Sequence, residues 1–119
     1  MLKYTEDHEW LRADGDEVVV GITAHAAEQL GDVVYVELPE IGREVAQGEE
    51  IVVIESVKAA SDIVAPIAGV ITAVNEALSD VPGEVNADPA AAWFFRIRPA
   101  GGVDLADFMD EDAYNAMIG

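Results

Sequence analysis

Basic side chains are scarce enough in this sequence to be weighed one at a time. Among 119 residues the lysines are Lys3 and Lys58, and the arginines are Arg12, Arg43, Arg96 and Arg98. Lys3 stands near the terminus, whereas Lys58 lies mid-chain between two β-rich apolar segments. The strand-like run Glu50-Ile51-Val52-Val53-Ile54-Glu55 leads in, and another run leads out after Ala60-Ser61-Asp62. So short a connection predicts a hairpin with Lys58 at or near its tip. On position alone, that lysine reads either as a solubilising turn residue or as an amine offered to a modifying enzyme. Schiff-base catalysis fits less well. It needs the amine brought down from about 10.4 by burial or a neighbouring cation. The neighbours here are Glu55 and Asp62, and carboxylates favour the protonated amine.

Other chemistries find little material. The absence of cysteine removes disulfides, thiolate nucleophiles and cysteine-based metal sites together. His8 and His25 are the only histidines, with no close pairing in sequence. Runs such as Asp110-Glu111-Asp112 read as solvated faces or helix-start charges. No EF-hand pattern, phosphate-binding glycine loop or dinucleotide fingerprint is present. Trp10 and Trp93 read as packing residues rather than binding platforms. With 24 acidic residues against 6 basic ones, the net charge is −18. Such a chain repels nucleic acid and anionic membranes, and suits either solubility or docking onto basic partner surfaces.

The elements that must position Lys58 follow from pattern and punctuation. Glu17–Ile22 reads as a strand, and Val33–Val36 as another, followed by a Pro39/Gly42 turn. Between them Thr23 can cap a short helix over 24–30 that Gly31 ends. Asp62–Ala65 and Gly69–Val74 continue as strands, Pro82-Gly83 marks a loop, and Trp93–Arg98 is a late strand. Leu105, Phe108, Met109, Ala113, Ala116 and Met117 recur at helical spacing, predicting a C-terminal helix with one apolar face. Gly31–Val36 with Gly42 and Val45 loosely parallels Gly69–Val74 with Gly83 and Val85, a weak sign of internal duplication around Lys58. Apolar residues make up 51%, enough for one core, and the length suits a single domain over 1–119. Many short strands with Gly and Pro between them indicate a mainly β sandwich or barrel with small peripheral helices. No apolar run reaches the roughly 20 residues of a membrane span. The N-terminus carries neither a secretory nor a transit pattern, so a cytoplasmic bacterial location is expected, or a mitochondrial one for a mature eukaryotic chain.

The segment Glu55-Ser-Val-Lys-Ala-Ala-Ser-Asp62, followed by Ala65-Pro-Ile-Ala-Gly-Val70, resembles the lipoyl-attachment region of glycine cleavage H proteins. Further matches are Tyr4-Thr-Glu-Asp-His-Glu-Trp10, Gly21-Ile-Thr23 with Ala26, and Leu30-Gly-Asp-Val-Val-Tyr-Val-Glu-Leu-Pro39. Val74-Asn75-Glu76 and Asn86-Ala-Asp-Pro89 match as well, so the resemblance runs along nearly the whole chain in consistent order. It departs at Ala90-Ala91-Ala92-Trp93, where the family carries a longer stretch with glycine.

The resemblance implies a flattened barrel-sandwich hybrid of the lipoyl/biotinyl-carrier type, with a C-terminal helix. It implies a non-catalytic, monomeric carrier with lipoate attached covalently to Lys58. The carrier would take an aminomethyl group from glycine decarboxylase to the tetrahydrofolate-dependent aminomethyltransferase, and electrons to dihydrolipoyl dehydrogenase. Lipoate-attaching enzymes would be further partners, and neither nucleic acid nor membrane would be. H proteins fold the loaded arm back on their own body, and Glu9 and Asp62, with His25, are candidates to line the receiving cleft. Three alternatives stand beside this. One is a lipoyl or biotinyl domain of another complex, though Val57 and Ala59 flank Lys58 where biotinyl domains carry methionines. Another is an H-like protein serving lipoate relay, and the third is a purely structural acidic domain with Lys58 unmodified.

Overall fold

A computed structural model of the chain describes residues 2–118. The strands are β1 (Leu2–Tyr4), β2 (Glu9–Asp14), β3 (Glu17–Ile22), β4 (Val33–Glu37) and β5 (Glu44–Val45). They continue with β6 (Glu50–Ser56), β7 (Ala60–Val64), β8 (Gly69–Val74) and β9 (Phe95–Pro99). Among the described residues four helices are interspersed: α1 (Ala24–Leu30), α2 (Ala77–Asp80), α3 (Glu84–Ala87) and α4 (Glu111–Ile118). The strands form a six-stranded sheet in the order β1-β2-β3-β9-β8-β5 and a three-stranded sheet in the order β4-β6-β7. The two sheets do not close into a barrel, and the molecule is flattened to 37 × 35 × 21 Å.

Local sequence explains the main elements. The Asp14↔Glu17 pair closes β2 and β3 around a Gly15-Asp16 turn. In β3, Val18 and Val20 enter the core between the sheets, whereas Val19 lies on the other face beside its register partners Arg12 and Arg96. Val19 is nonetheless fully buried, because long arginine stems can cover apolar surface while their heads stay wet. The Arg96 head pairs with Asp14 and Glu17, tying β9 to the β2–β3 turn. Leu11, Ile71, Phe94, Phe95 and Ile97 meet Val36, Ile54 and Ile63 of the small sheet in one core. Burying side chains of this size contributes about 1.5–3 kcal/mol each. Trp10 packs across the bare Cα of Gly21, where a Cβ would lie 2.4 Å from the indole ring, and its Nε1 donates to Pro89 O at 3.0 Å.

Two expectations change. The C-terminal helix begins only at Glu111, and Ala113, Ala116 and Met117 on it are exposed. Asp110 sets the start by accepting from Ala113 N at 2.8 Å. Leu105 and Phe108 reach the core from the preceding turns, and Met109 pairs with Tyr4 at the sheet edge. The residue that seats α4 is Tyr114, stacked on Tyr4 at 4.8 Å between ring centroids. The suggested duplication also dissolves after the first strands. Val45 belongs to β5 whereas Val85 is on helix α3, and β4 and β8 lie in different sheets. At the departure from the family pattern, Ala91 and Ala92 both donate to Asp88 O, so Ala90–Ala92 closes as a tight turn without glycine.

Candidate functional site

Strands β6 and β7 pair antiparallel down to Glu55↔Ala60, leaving Val57, Lys58 and Ala59 at the tip. Ser56 organises that tip. Its N–H and its hydroxyl both donate to Ala59 O, at 2.8 and 3.0 Å, while its Oγ accepts from the N–H groups of Lys58 and Ala59 at 3.2 Å. This is a serine turn closed by one side chain, a role that residue type alone does not disclose. Lys58 is exposed, and among the described residues it makes no ion pair despite the surrounding acids. Its aliphatic stem runs over Gly31, the residue that ends α1: a Cβ there would stand 3.1 Å from Lys58 Cε and 3.3 Å from Cδ. Behind the tip, Val57 N donates to Asp32 O at 3.0 Å, joining the hairpin to the link between α1 and β4.

A cleft of about 630 Å³ opens beside the outgoing arm of the hairpin. Ala60, Asp62 and Val64 of β7 form one wall, Gln29 and Leu30 of α1 another, and Glu9 and its neighbours a third. Glu9 is delivered by the turn before β2, where Thr5 N bonds Glu9 O and His8 takes a left-handed backbone at φ 65°. Its side chain is 2% exposed. Oε1 accepts from Thr5 Oγ1 at 3.1 Å, and Oε2 has no partner among the described residues. Burial pushes its carboxyl up to about 8, with Asp7 adding to the rise and the Thr5 hydrogen bond opposing it. An orphaned buried carboxyl of this kind marks a place for a donor or a cation.

Of the residues singled out from sequence, Glu9 and Asp62 line this cleft together, and Lys58 stands at the hairpin tip next to Ala59 on its rim. His25 does not line it. It sits in the first turn of α1, one helical turn before Gln29, with its Nε2 3.1 Å from Gln29 Nε2. It faces a separate 350 Å³ hollow with Tyr4 and Tyr114. Its ring lies 4.9 Å from that of His8, and His8 and Gln29 border the larger cleft in its place. His8 Nδ1 and Thr23 Oγ1 both meet the Tyr114 hydroxyl, at 2.8 and 2.7 Å, so His8 and Thr23 lock α4 to the turn before β2 and to the start of α1. Among the described residues no cluster suited to a metal ion occurs, and no helix is long and apolar enough to cross a membrane.

The glycine cleavage H-protein family model matches residues 2–119. The chain belongs to the glycine cleavage H-protein family. A glycine cleavage system H protein of Phenylobacterium zucineum is 53% identical over 118 residues, covering 98% of both chains. A glycine cleavage system H protein 2 of Pseudomonas aeruginosa is 50% identical, covering 98% of this chain and 92% of that one. The crystal structure of a glycine cleavage system H protein from Mycobacterium marinum superposes with a TM-score of 0.89 at 39% identity, over 99% of this chain and 96% of that one. Membership makes the chain a carrier component of the glycine cleavage system rather than a catalyst, in a family of lipoate carriers.

Proposed function

We propose that Lys58 is the lipoyl-attachment residue, and that the cleft bounded by Glu9 and Asp62 receives the far end of the arm once it is charged. The observation that carries this reading is the pairing of an exposed, unpaired amine on an ordered tip with a buried, orphaned carboxyl in the adjoining cleft. The residues present fit the group: the amine is free to form an amide, and the cleft wall has a polar atom without a partner. When attached, the lipoyl group supplies a dithiolane that accepts the aminomethyl group from glycine decarboxylase, yields it to the aminomethyltransferase, and passes electrons to dihydrolipoyl dehydrogenase. The chain works as a monomer between these enzymes, and lipoate-attaching enzymes act on it first.

What the protein's own residues do is hold and shield. The tethered hairpin keeps the attachment point at high local concentration before each partner. Glu9, largely protonated at neutral pH, gives up its proton when a cationic amine approaches Oε2, because an adjacent positive charge favours the carboxylate. Asp62, exposed at the mouth, adds attraction from the β7 side. Leu30, Ile54 and Ile63 exclude water from the floor. A partly shielded contact of this sort contributes roughly 1–3 kcal/mol.

Two measurements test the reading. Lys58→Arg keeps the charge but cannot form the amide, so the variant is expected to fold normally and to support no glycine cleavage in a reconstituted system. Substantial remaining activity would rule out Lys58. For the cleft, wild type, Glu9→Gln and Asp62→Asn are charged with the aminomethyl group, and formaldehyde and ammonia release is followed without the transferase. Both variants should leak faster, and the gap between Glu9→Gln and wild type should widen from pH 6 to pH 8 as Glu9 ionises more readily. Identical leak rates in all three would remove these carboxyls from the mechanism.

A further inference from the structure

The Asn86-Ala-Asp-Pro89 motif finds a use beneath the Lys58 hairpin. Asn86, half-buried on α3, donates from Nδ2 to Gly31 O at 2.7 Å and, more weakly, to Ala27 O at 3.5 Å. Its Oδ1 accepts from Val33 N at 2.8 Å. One side chain therefore spans the connection Gly31-Asp32-Val33 from both ends, satisfying the last carbonyls of α1 and the first amide of β4. On its other side the same connection accepts the Val57 amide at Asp32 O, and Gly31 carries the Lys58 stem on its bare Cα. The path from Asn86 to Lys58 thus consists of two hydrogen-bonded steps and one van der Waals contact.

We propose that Asn86 is a positioning residue for Lys58, fixing the α1–β4 connection as the platform on which the attachment hairpin rests. The proposal rests on the reading of Lys58 as the attachment residue. Only a side chain that donates and accepts at once can make this clamp: aspartate keeps the acceptor but loses both donor contacts, and leucine has neither. Without the clamp, Gly31-Asp32-Val33 samples several conformations and the tip follows. An acylating enzyme then meets the competent tip for only a fraction of the time, which raises its apparent dissociation constant by the reciprocal of that fraction. Once bound, the enzyme imposes the geometry itself, so the effect falls on KM rather than kcat.

The test uses the full-length apo chain with a lipoate ligase, lipoate and MgATP. The ligase activates the lipoyl carboxyl as the adenylate with release of pyrophosphate, and AMP and a proton leave as the Lys58 amide forms. Asn86→Leu and Asn86→Asp should raise KM for the chain about tenfold, with kcat within about twofold of wild type. Hydrogen exchange at the Val57 amide should accelerate by a similar factor, while exchange at Val20 and Ile97 in the core stays as in wild type. Ile97→Val, a core truncation that costs stability away from the platform, serves as the control and should leave KM unchanged. Should Asn86→Leu fail to fold, Asn86→Asp, which keeps the contact to Val33 N, carries the test. An unchanged KM in the folded Asn86 variants, or an equal rise in Ile97→Val, would overturn the proposal. Failure of the wild type to accept the acyl group would instead overturn the Lys58 reading, and this proposal with it.

Discussion

Lys58 and Glu9 border the same end of the molecule and are built in opposite ways. The turn that presents Lys58 is closed locally: residues 55–60 supply the last strand pair, the serine turn and the exposed tip, and only its seating on Gly31 and Asp32 reaches outside that segment. The setting of Glu9 is wholly non-local. Its burial needs the turn after β1, helix α1 and strand β7 to converge, and its own neighbours in sequence, Glu6, Asp7 and His8, suggest a solvated acidic stretch. A local motif can keep a group in water and leave its charge alone. Only convergence of distant segments can strip water from a carboxyl and raise it to about 8. A carrier uses both: an amine that any partner can reach, and a recess that none of them needs to supply.

The contrast can be broken most forcibly at Glu9. Its folded-state value lies above the ordinary 4.5, so the unfolded chain releases this proton first as pH rises. The stability associated with the neutral buried form is therefore fully present below about pH 4.5 and is lost as pH climbs towards 8. By pH 7 the loss amounts to about 3 kcal/mol. Urea unfolding from pH 5 to pH 8 should show wild type weakening relative to Glu9→Gln, whose amide does not titrate. Parallel profiles for the two proteins would mean that Glu9 is solvated in solution. At the other pole, Ser56→Ala removes the hydroxyl that closes the tip. Because the turn is exposed, stability should fall by only about 1 kcal/mol or less, while hydrogen exchange at Lys58 and Ala59 accelerates. A loss of several kcal/mol would mean that the tip is not local after all.

The same division explains what could be read from sequence. Thr23 and Gly31 bound α1 at both ends as expected, because caps are one-residue signals: Thr23 Oγ1 accepts from Ala26 N, and Gly31 sits at φ 74°. The β-branched runs Glu17–Ile22 and Gly69–Val74 are strands over the expected residues. Strand β2 was not legible, since Glu-Trp-Leu-Arg-Ala-Asp lacks a β-branched pattern and becomes extended by pairing with β3 along its whole length. The two single-turn helices around Pro82-Gly83 are too short to leave a periodic trace. At the C-terminus the apolar spacing pointed to Ala113, Ala116 and Met117, whereas the anchor is Tyr114. Its attachment depends on a hydroxyl shared with His8 and Thr23, about a hundred residues away in sequence. At the site, the family motif led to Lys58, Glu9 and Asp62. His25 belongs to none of these motifs, and α1 turns it towards the hollow beside Tyr4 and Tyr114 while its neighbour Ala26 borders the cleft. Ser56 and Asn86 lie within the Glu55–Asp62 and Asn86–Pro89 motifs, but their work is hydrogen bonding to backbone, which residue type alone does not disclose.

The central claim is that this chain is a carrier through Lys58. Peptide mass spectrometry on protein purified from its native host under lipoate-sufficient growth tests it most directly. The peptide containing Lys58 should carry the added mass of a lipoyl amide, and the peptide containing Lys3 should be unmodified. An unmodified Lys58 in that material, or lipoylation found chiefly on Lys3, would contradict the account.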